Sequence, residues 1–229
     1  MKRYRIAGLA IDMEVGGRTL LQAEPYGTPV QGPADMVIQI DIDRILEMNP
    51  GITDRDMAEY LGTGHQFCAL LPLHQGFMLH SSAVICDGKA YLFSAPSGTG
   101  KSTHTEKWVR LFGAEYLNDD KPALRFVDDH WMAYGTPWSG KHDISAPRGV
   151  ALGGIAVLTR GEENAISRLS PAEALPYIMS QTIFRQTRLR MDKQLALLDD
   201  LLDRVPVWKL TCRNDDDAAL MSHDVMVAE

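Results

Sequence analysis

One run of residues, Ser94-Ala95-Pro96-Ser97-Gly98-Thr99-Gly100-Lys101-Ser102-Thr103, gathers small side chains, hydroxyls and a lysine. Small residues let successive backbone N–H groups turn toward a single anion, and a helix that starts where the run ends adds the positive end of its dipole at the same point. The apolar stretch Ala90-Tyr91-Leu92-Phe93 before it and the amphipathic segment Lys101 to Phe112 after it supply the strand, loop and helix order this chemistry needs. The run fits G-x-x-x-x-G-K-[ST] except that Ala95 stands at the first glycine. Ser97, Gly98, Thr99, Gly100, Lys101, Ser102 and Thr103 are therefore the candidate phosphate-binding residues, with Lys101 on the outer phosphates and the Ser102 hydroxyl on Mg²⁺. Lys101 is expected to stand in solvent until a nucleotide arrives. The competing reading is a glycine-rich turn that binds nothing.

Ala114-Glu115-Tyr116-Leu117-Asn118-Asp119-Asp120 follows that helix and reads as a short strand ending in two adjacent carboxylates. Such a pair suits an Mg-nucleotide site: one carboxylate can hold the metal through water while the other accepts a proton, with Ser102 and Asp120 the candidate metal ligands and either Asp119 or Asp120 the candidate base. On its own the pair would pass for a solvated acidic turn.

The elements that must position these groups are partly legible. Ser82 to Cys86 and Lys89 to Phe93 flank Asp87-Gly88, a strong hairpin signal, so the strand feeding the loop has an antiparallel neighbour and the sheet is predicted to be mixed. Gly113 provides the stop for the helix that begins at Lys101. A second hairpin is predicted from Pro122 to Val127 and Trp131 to Tyr134, and Gly135 to Lys141 as a loop at the sheet edge, with Lys141 either a phosphate contact or a solvated lysine. Leu152 to Leu158 reads as a buried strand, Ser170-Pro171-Ala172-Glu173 as a capping box, with helices over 171–183 and 187–203, and Val205 to Leu210 as a last strand before a short helix capped by Asn214 to Asp217. Upstream, residues 1–76 read as a small mixed α+β subdomain: a strand at Met36 to Asp41, a helix starting at Thr53-Asp54 and ending near Gly62 or Gly64, and a separate apolar segment from Phe67 to Leu73. Residues 77–229 form the core. Arg185, Arg188 and Arg190, with Lys193, make a basic cluster that reads foremost as a solvated helix start.

With 45% hydrophobic and 23% charged residues the chain has the composition of a globular protein. A net charge of −7 argues against nucleic acid or a membrane surface as partner, because phosphate backbones and anionic lipids select basic surfaces. No apolar run approaches the roughly 20 residues that span a bilayer and no signal-peptide core follows the start, so a cytoplasmic location is expected. Cys68, Cys86 and Cys212 lack metal-ligand spacing and are expected to fill apolar space.

From His80 to Arg125 the sequence resembles the kinase core of the bacterial HPr kinase/phosphorylase family, whose fold is shared with the nucleotide-binding part of phosphoenolpyruvate carboxykinases. Leu79-His80, the loop Ala95 to Ser102, and Asn118-Asp119-Asp120 carry the likeness. The resemblance implies an α/β mixed-sheet P-loop kinase core and places His80, Asp119 and Asp120 at a phosphoryl-transfer centre. It implies ATP and Mg²⁺ as cofactors and a hydroxyl-bearing protein, peptide or small molecule as acceptor, and it is compatible with a homo-oligomer. A non-catalytic ATP-binding regulatory module and a nucleotide hydrolase stand as alternatives.

Overall fold

The computed structural model describes residues 1–29, 31–182 and 187–228. The chain is α/β, with a small three-stranded sheet and a large, curled mixed sheet. It opens with an antiparallel hairpin, β1 (Lys2–Ile6) and β2 (Leu9–Met13), turned at Ala7-Gly8. Helix α1 (Gly17–Ala23) leads by way of a short 3₁₀ turn to β3 (Met36–Ile38), which pairs parallel with β2. Two helices follow, α2 (Ile42–Met48) and α3 (Arg55–Leu70). The strand expected from Met36 to Asp41 is thus shorter, because Asp41 turns out of it to cap α2 by accepting from the Arg44 N–H.

Helix α3 corrects a second expectation. It starts at the Asp54 cap but runs through Gly62 and Gly64 and takes in part of the apolar segment that looked separate. Neither glycine ends the helix, because each makes room for a neighbour. A Cβ on Gly62 would lie 2.4 Å from Ile45 Cδ1, and one on Gly64 would lie 2.7 Å from Trp138 Cδ1. Trp138 fills that space, stacked on Phe67 of the same helix with ring centroids 4.8 Å apart. The loop around Trp138 is consequently buried against α3, and its continuation bonds to the edge strand that ends at Asn118.

The large sheet begins with β4 (Gly76–Met78), then the hairpin β5 (Ser81–Cys86) and β6 (Lys89–Ser94), paired in register across Asp87-Gly88. Helix α4 (Lys101–Phe112) ends at Gly113 in the left-handed conformation, and β7 (Glu115–Asn118) returns antiparallel to β5. The second hairpin, β8 (Ala123–Val127) and β9 (His130–Tyr134), comes next, followed by the long β10 (Gly149–Arg160) and β11 (Ala165–Arg168). The capping box of Ser170 and Glu173 opens α5 (Pro171–Ser180). Then come α6 (Arg188–Arg204), β12 (Val207–Cys212) and α7 (Asp216–Val227), capped by Asp215.

Strand order is β4-β8-β9-β10-β6-β5-β7. β10 is its pivot, parallel to β6 along one edge, and pairing antiparallel with β9 near its start and parallel with β12 near its end along the other. Alternate side chains serve two cores. Ala83, Leu92, Ile155 and Val157 face α5 and α6, whereas Val84, Phe93, Ala156 and Leu158 face α4 and α7. Both faces being covered explains why β5 and β6 read as nearly continuous apolar runs. The three cysteines are buried, as expected of space-filling thiols. Among the described residues no helix is long and apolar enough to cross a membrane.

Candidate active site

The cleft at the carboxyl end of β6 follows from the hairpin. Because β5 and β6 are in register, Ser81 lies opposite Ser94, and the residue before it, His80, meets the start of the glycine-rich loop. Ser94 Oγ fixes the junction by donating to His80 O at 3.0 Å. β7 pairs with the other edge of β5 and ends at the same level, which delivers Asp119 and Asp120 beside His80. A cleft of about 390 Å³ is lined by His80, Ser97, Gly98, Gly100, Lys101, Ser102, Thr103, Asp119 and Asp120, and on its far rim by Gly140, Lys141 and His142. All but one of the sequence-derived site residues therefore meet. Thr99 is the one that does not line the cleft; its hydroxyl is turned back onto Pro96 O at 2.9 Å. Of the basic cluster, Arg188, Arg190 and Lys193 belong to α6 and line no part of the cleft, and Arg185 lies outside the described residues.

The loop turns on two glycines and runs into an uncapped helix start. Gly98 and Gly100 take φ of 78° and 119°, which side-chain-bearing residues rarely adopt, and a Cβ on Gly98 would touch nothing within 4 Å. Gly100 offers α4 no side-chain cap, and the first turn carries no acidic residue. The His104 N–H reaches Gly100 O at 2.9 Å, which leaves the N–H groups of Lys101, Ser102 and Thr103 without carbonyl partners inside the helix. An uncapped helix start with small neighbours suits a phosphate.

Lys101 departs from expectation. Its side chain is only 8% exposed, and Nζ donates to Ala95 O at 2.9 Å and Pro96 O at 3.4 Å. The loop's own carbonyls wrap the ammonium, since they are the nearest acceptors once the loop curls back over α4. Burial lowers its pKa below the ordinary value, against the opposing pull of the Asp120 and Asp119 charges.

The two carboxylates are held differently. Asp119 is nearly buried, and its Oδ1 accepts from Ser82 Oγ at 2.7 Å; Ser82 Oγ in turn lies 2.9 Å from Thr105 Oγ1. Asp120 Oδ1 lies 3.3 Å from His80 Nε2, and its Oδ2 accepts from Lys121 Nζ at 2.5 Å. Burial works against ionisation of Asp120, but the His80 hydrogen bond together with the charge and hydrogen bond of Lys121 outweighs it and holds the carboxyl down at about 2. His80 is steadied from behind, with Nδ1 3.0 Å from Gln181 Oε1 and its backbone N–H donating to Gln181 O. Asn118 shapes the turn, its Oδ1 accepting from the N–H groups of Asp120 and Lys121. Sequence reasoning missed Ser82, Gln181, Gly140 and His142, and left Lys141, which lines the cleft, open between a phosphate contact and a solvated lysine. Ser82 carried a faint signal as a hydroxyl within an apolar strand; Gln181, Gly140 and His142 carried none, being remote in sequence from the loop.

The donor set fits Mg²⁺ bound together with phosphates. Among the described residues no group of three or more His, Cys, Asp or Glu side chains forms a self-sufficient metal cage. Mg²⁺ commonly uses one or two carboxylates and completes its shell with phosphate oxygens and water. A serine hydroxyl and adjacent carboxylates beside an anion cradle match that pattern.

In fold the chain is similar to the HPr(Ser) kinase/phosphatase from Coxiella burnetii, with 9% sequence identity, a TM-score of 0.39, and coverage of 66% of this chain and 88% of that one. No family model matches the chain, and no curated protein matches it.

Proposed function

We propose that the chain is an Mg-ATP-dependent phosphotransferase that moves the γ-phosphoryl group to a hydroxyl of a protein, a peptide or a small molecule. The observation that carries this reading is the convergence, in one cleft, of an uncapped helix start, a lysine, and two carboxylates with a histidine against one of them. When bound, Mg-ATP supplies the transferable group and a metal that neutralises its oxygens.

The protein's part is then positioning and charge. The N–H groups at the start of α4 receive phosphate oxygens, and Lys101 exchanges the carbonyls of Ala95 and Pro96 for the outer phosphates. Ser102 and Asp120 hold the metal. A carboxyl held near 2 stays ionised at neutral pH and is a weak base, which suits Asp120 to a cation and to orienting His80. Asp119, which lines the cleft with one oxygen on Ser82, takes the acceptor's proton. His80, between Asp120 and Gln181, lines the cleft that would receive the transferred group.

The test is incubation with γ-labelled ATP, Mg²⁺ and a protein and metabolite extract as a source of hydroxyls. Labelled product is expected with the wild type and is lost in Asp119→Asn, which still binds Mg-ATP. A wild type that binds Mg-ATP and labels nothing contradicts transfer and favours a nucleotide-sensing module. Release of labelled phosphate alone favours a hydrolase.

A further inference from the structure

The rim of the cleft opposite the glycine-rich loop is built as firmly as the loop itself. Gly140 has φ of 81°, and a Cβ there would lie 2.7 Å from Asp120 Cβ, so the rim backbone rests directly on that carboxylate side chain. On one side the rim is sewn to β7 and the turn after it, where the Asp119 N–H donates to Ile144 O and the Ala146 N–H to Leu117 O. On the other it is tied to the N-terminal elements. Arg18 of α1 donates through Nη2 to Gly140 O at 2.6 Å and to Asp143 Oδ1 at 2.7 Å, with its guanidinium 4.7 Å over the ring of Tyr60. Tyr60 OH accepts from the Gly140 N–H at 3.1 Å, and the Gln22 amide also reaches Asp143. Between these anchors stand Lys141 and His142, both exposed and lining the cleft. No described residue gives the Lys141 ammonium a hydrogen bond or an ion pair.

We propose that Lys141 is a second phosphate-binding cation of this cleft, and that Arg18 is the positioning residue that holds it there. The inference rests on the Mg-ATP reading above. A rim fixed by this many bonds, yet presenting an ammonium with no partner among the described residues, is organised around a charge that arrives with the ligand. The rim lines the same cleft as the loop, Lys101 and the two carboxylates, and rests on Asp120, the carboxylate assigned to the metal. Lys141 thereby adds a second cation to Lys101 in the cleft that takes the terminal phosphate. The N-terminal elements acquire a task in the site without contributing a residue to its lining.

Calorimetric titration with Mg-ATP and Mg-ADP, with no turnover required, tests this. Lys141→Ala, at an exposed position, is expected to weaken Mg-ATP about tenfold while changing Mg-ADP less than about threefold. Arg18→Ala is expected to give a smaller loss of the same ATP-selective kind and to add nothing in the Lys141→Ala background, because both act through one interaction. Should Arg18→Ala lower the melting temperature, Asp143→Ala loosens the same tether from its exposed end, and the same non-additive pattern is required of it. Unchanged ATP affinity in Lys141→Ala, equal losses for ATP and ADP, or full additivity with both tether variants each overturns the inference. A wild type that binds neither nucleotide fails the Mg-ATP reading itself, and the inference with it.

Discussion

Asp120 links the electrostatics of the site to a bulk property, so the effect of Asp120→Asn on stability can be worked out in advance. Its carboxyl falls from an ordinary value of 3.8 to about 2 in the folded chain. A depressed folded-state pKa means that, as pH falls, the unfolded chain takes up the proton first. Stability from the ionised group is therefore present above the unfolded value and is lost as pH drops through the folded one. A shift of nearly two units at about 1.36 kcal/mol per unit corresponds to roughly 2 kcal/mol. With the side chain 21% exposed, solvent screening trims this only modestly. The readout is the pH dependence of the difference between wild type and Asp120→Asn, because the substitution also strips Lys121 and His80 of a partner at every pH. Urea unfolding followed by tryptophan emission, at intervals from about pH 6 down to about pH 2.5, should show the wild type losing roughly 1–2 kcal/mol relative to the variant, nearly all of it below about pH 4. Parallel curves would refute the claim that His80 and Lys121 hold this carboxylate in its charged form.

Two further outcomes follow from the packing of the site and its support. His80→Ala should lower turnover by about a hundredfold or more while the melting temperature moves by only a few degrees, since the ring is 30% exposed and its lost hydrogen bonds are each worth about 1 kcal/mol net; a large fall in melting temperature with turnover per folded molecule intact would make the residue structural. Gly64→Ala should destabilise by roughly 1–2 kcal/mol in chemical denaturation, because a methyl 2.7 Å from buried Trp138 overpacks by more than the gain of about 1 kcal/mol in helix propensity. A stabilised variant would mean that Trp138 yields freely.

What the sequence made legible was local. Asp87-Gly88 specified the hairpin because the turn residues take left-handed conformations directly between the paired strands, and Gly113 and the Ser170–Glu173 box fixed helix ends by the same kind of short-range chemistry. Once the hairpin was placed, the meeting of His80 with the glycine-rich loop followed from register alone. Long-range contacts were hidden. Gly62 and Gly64 have the same composition as helix stops and differ only in having Ile45 and Trp138 against them. Lys101 looked free because nothing in its neighbours' identities says that the carbonyls of Ala95 and Pro96 turn toward it. Lys141 could be suspected as a phosphate contact, but the way its rim is held was hidden for the same reason: the anchors are Arg18, Tyr60 and Asp120, distant in sequence and joined only by the fold.

The central claim, that the glycine-rich loop and Lys101 form a nucleotide-phosphate site, is tested most directly by titrating wild type and Lys101→Ala with Mg-ATP in a calorimeter. The account predicts saturable binding at one site per chain in the wild type, and an affinity at least about tenfold weaker in the variant, whose melting temperature falls by a few degrees at most. No binding by the wild type, or equal affinity in both proteins, would contradict it.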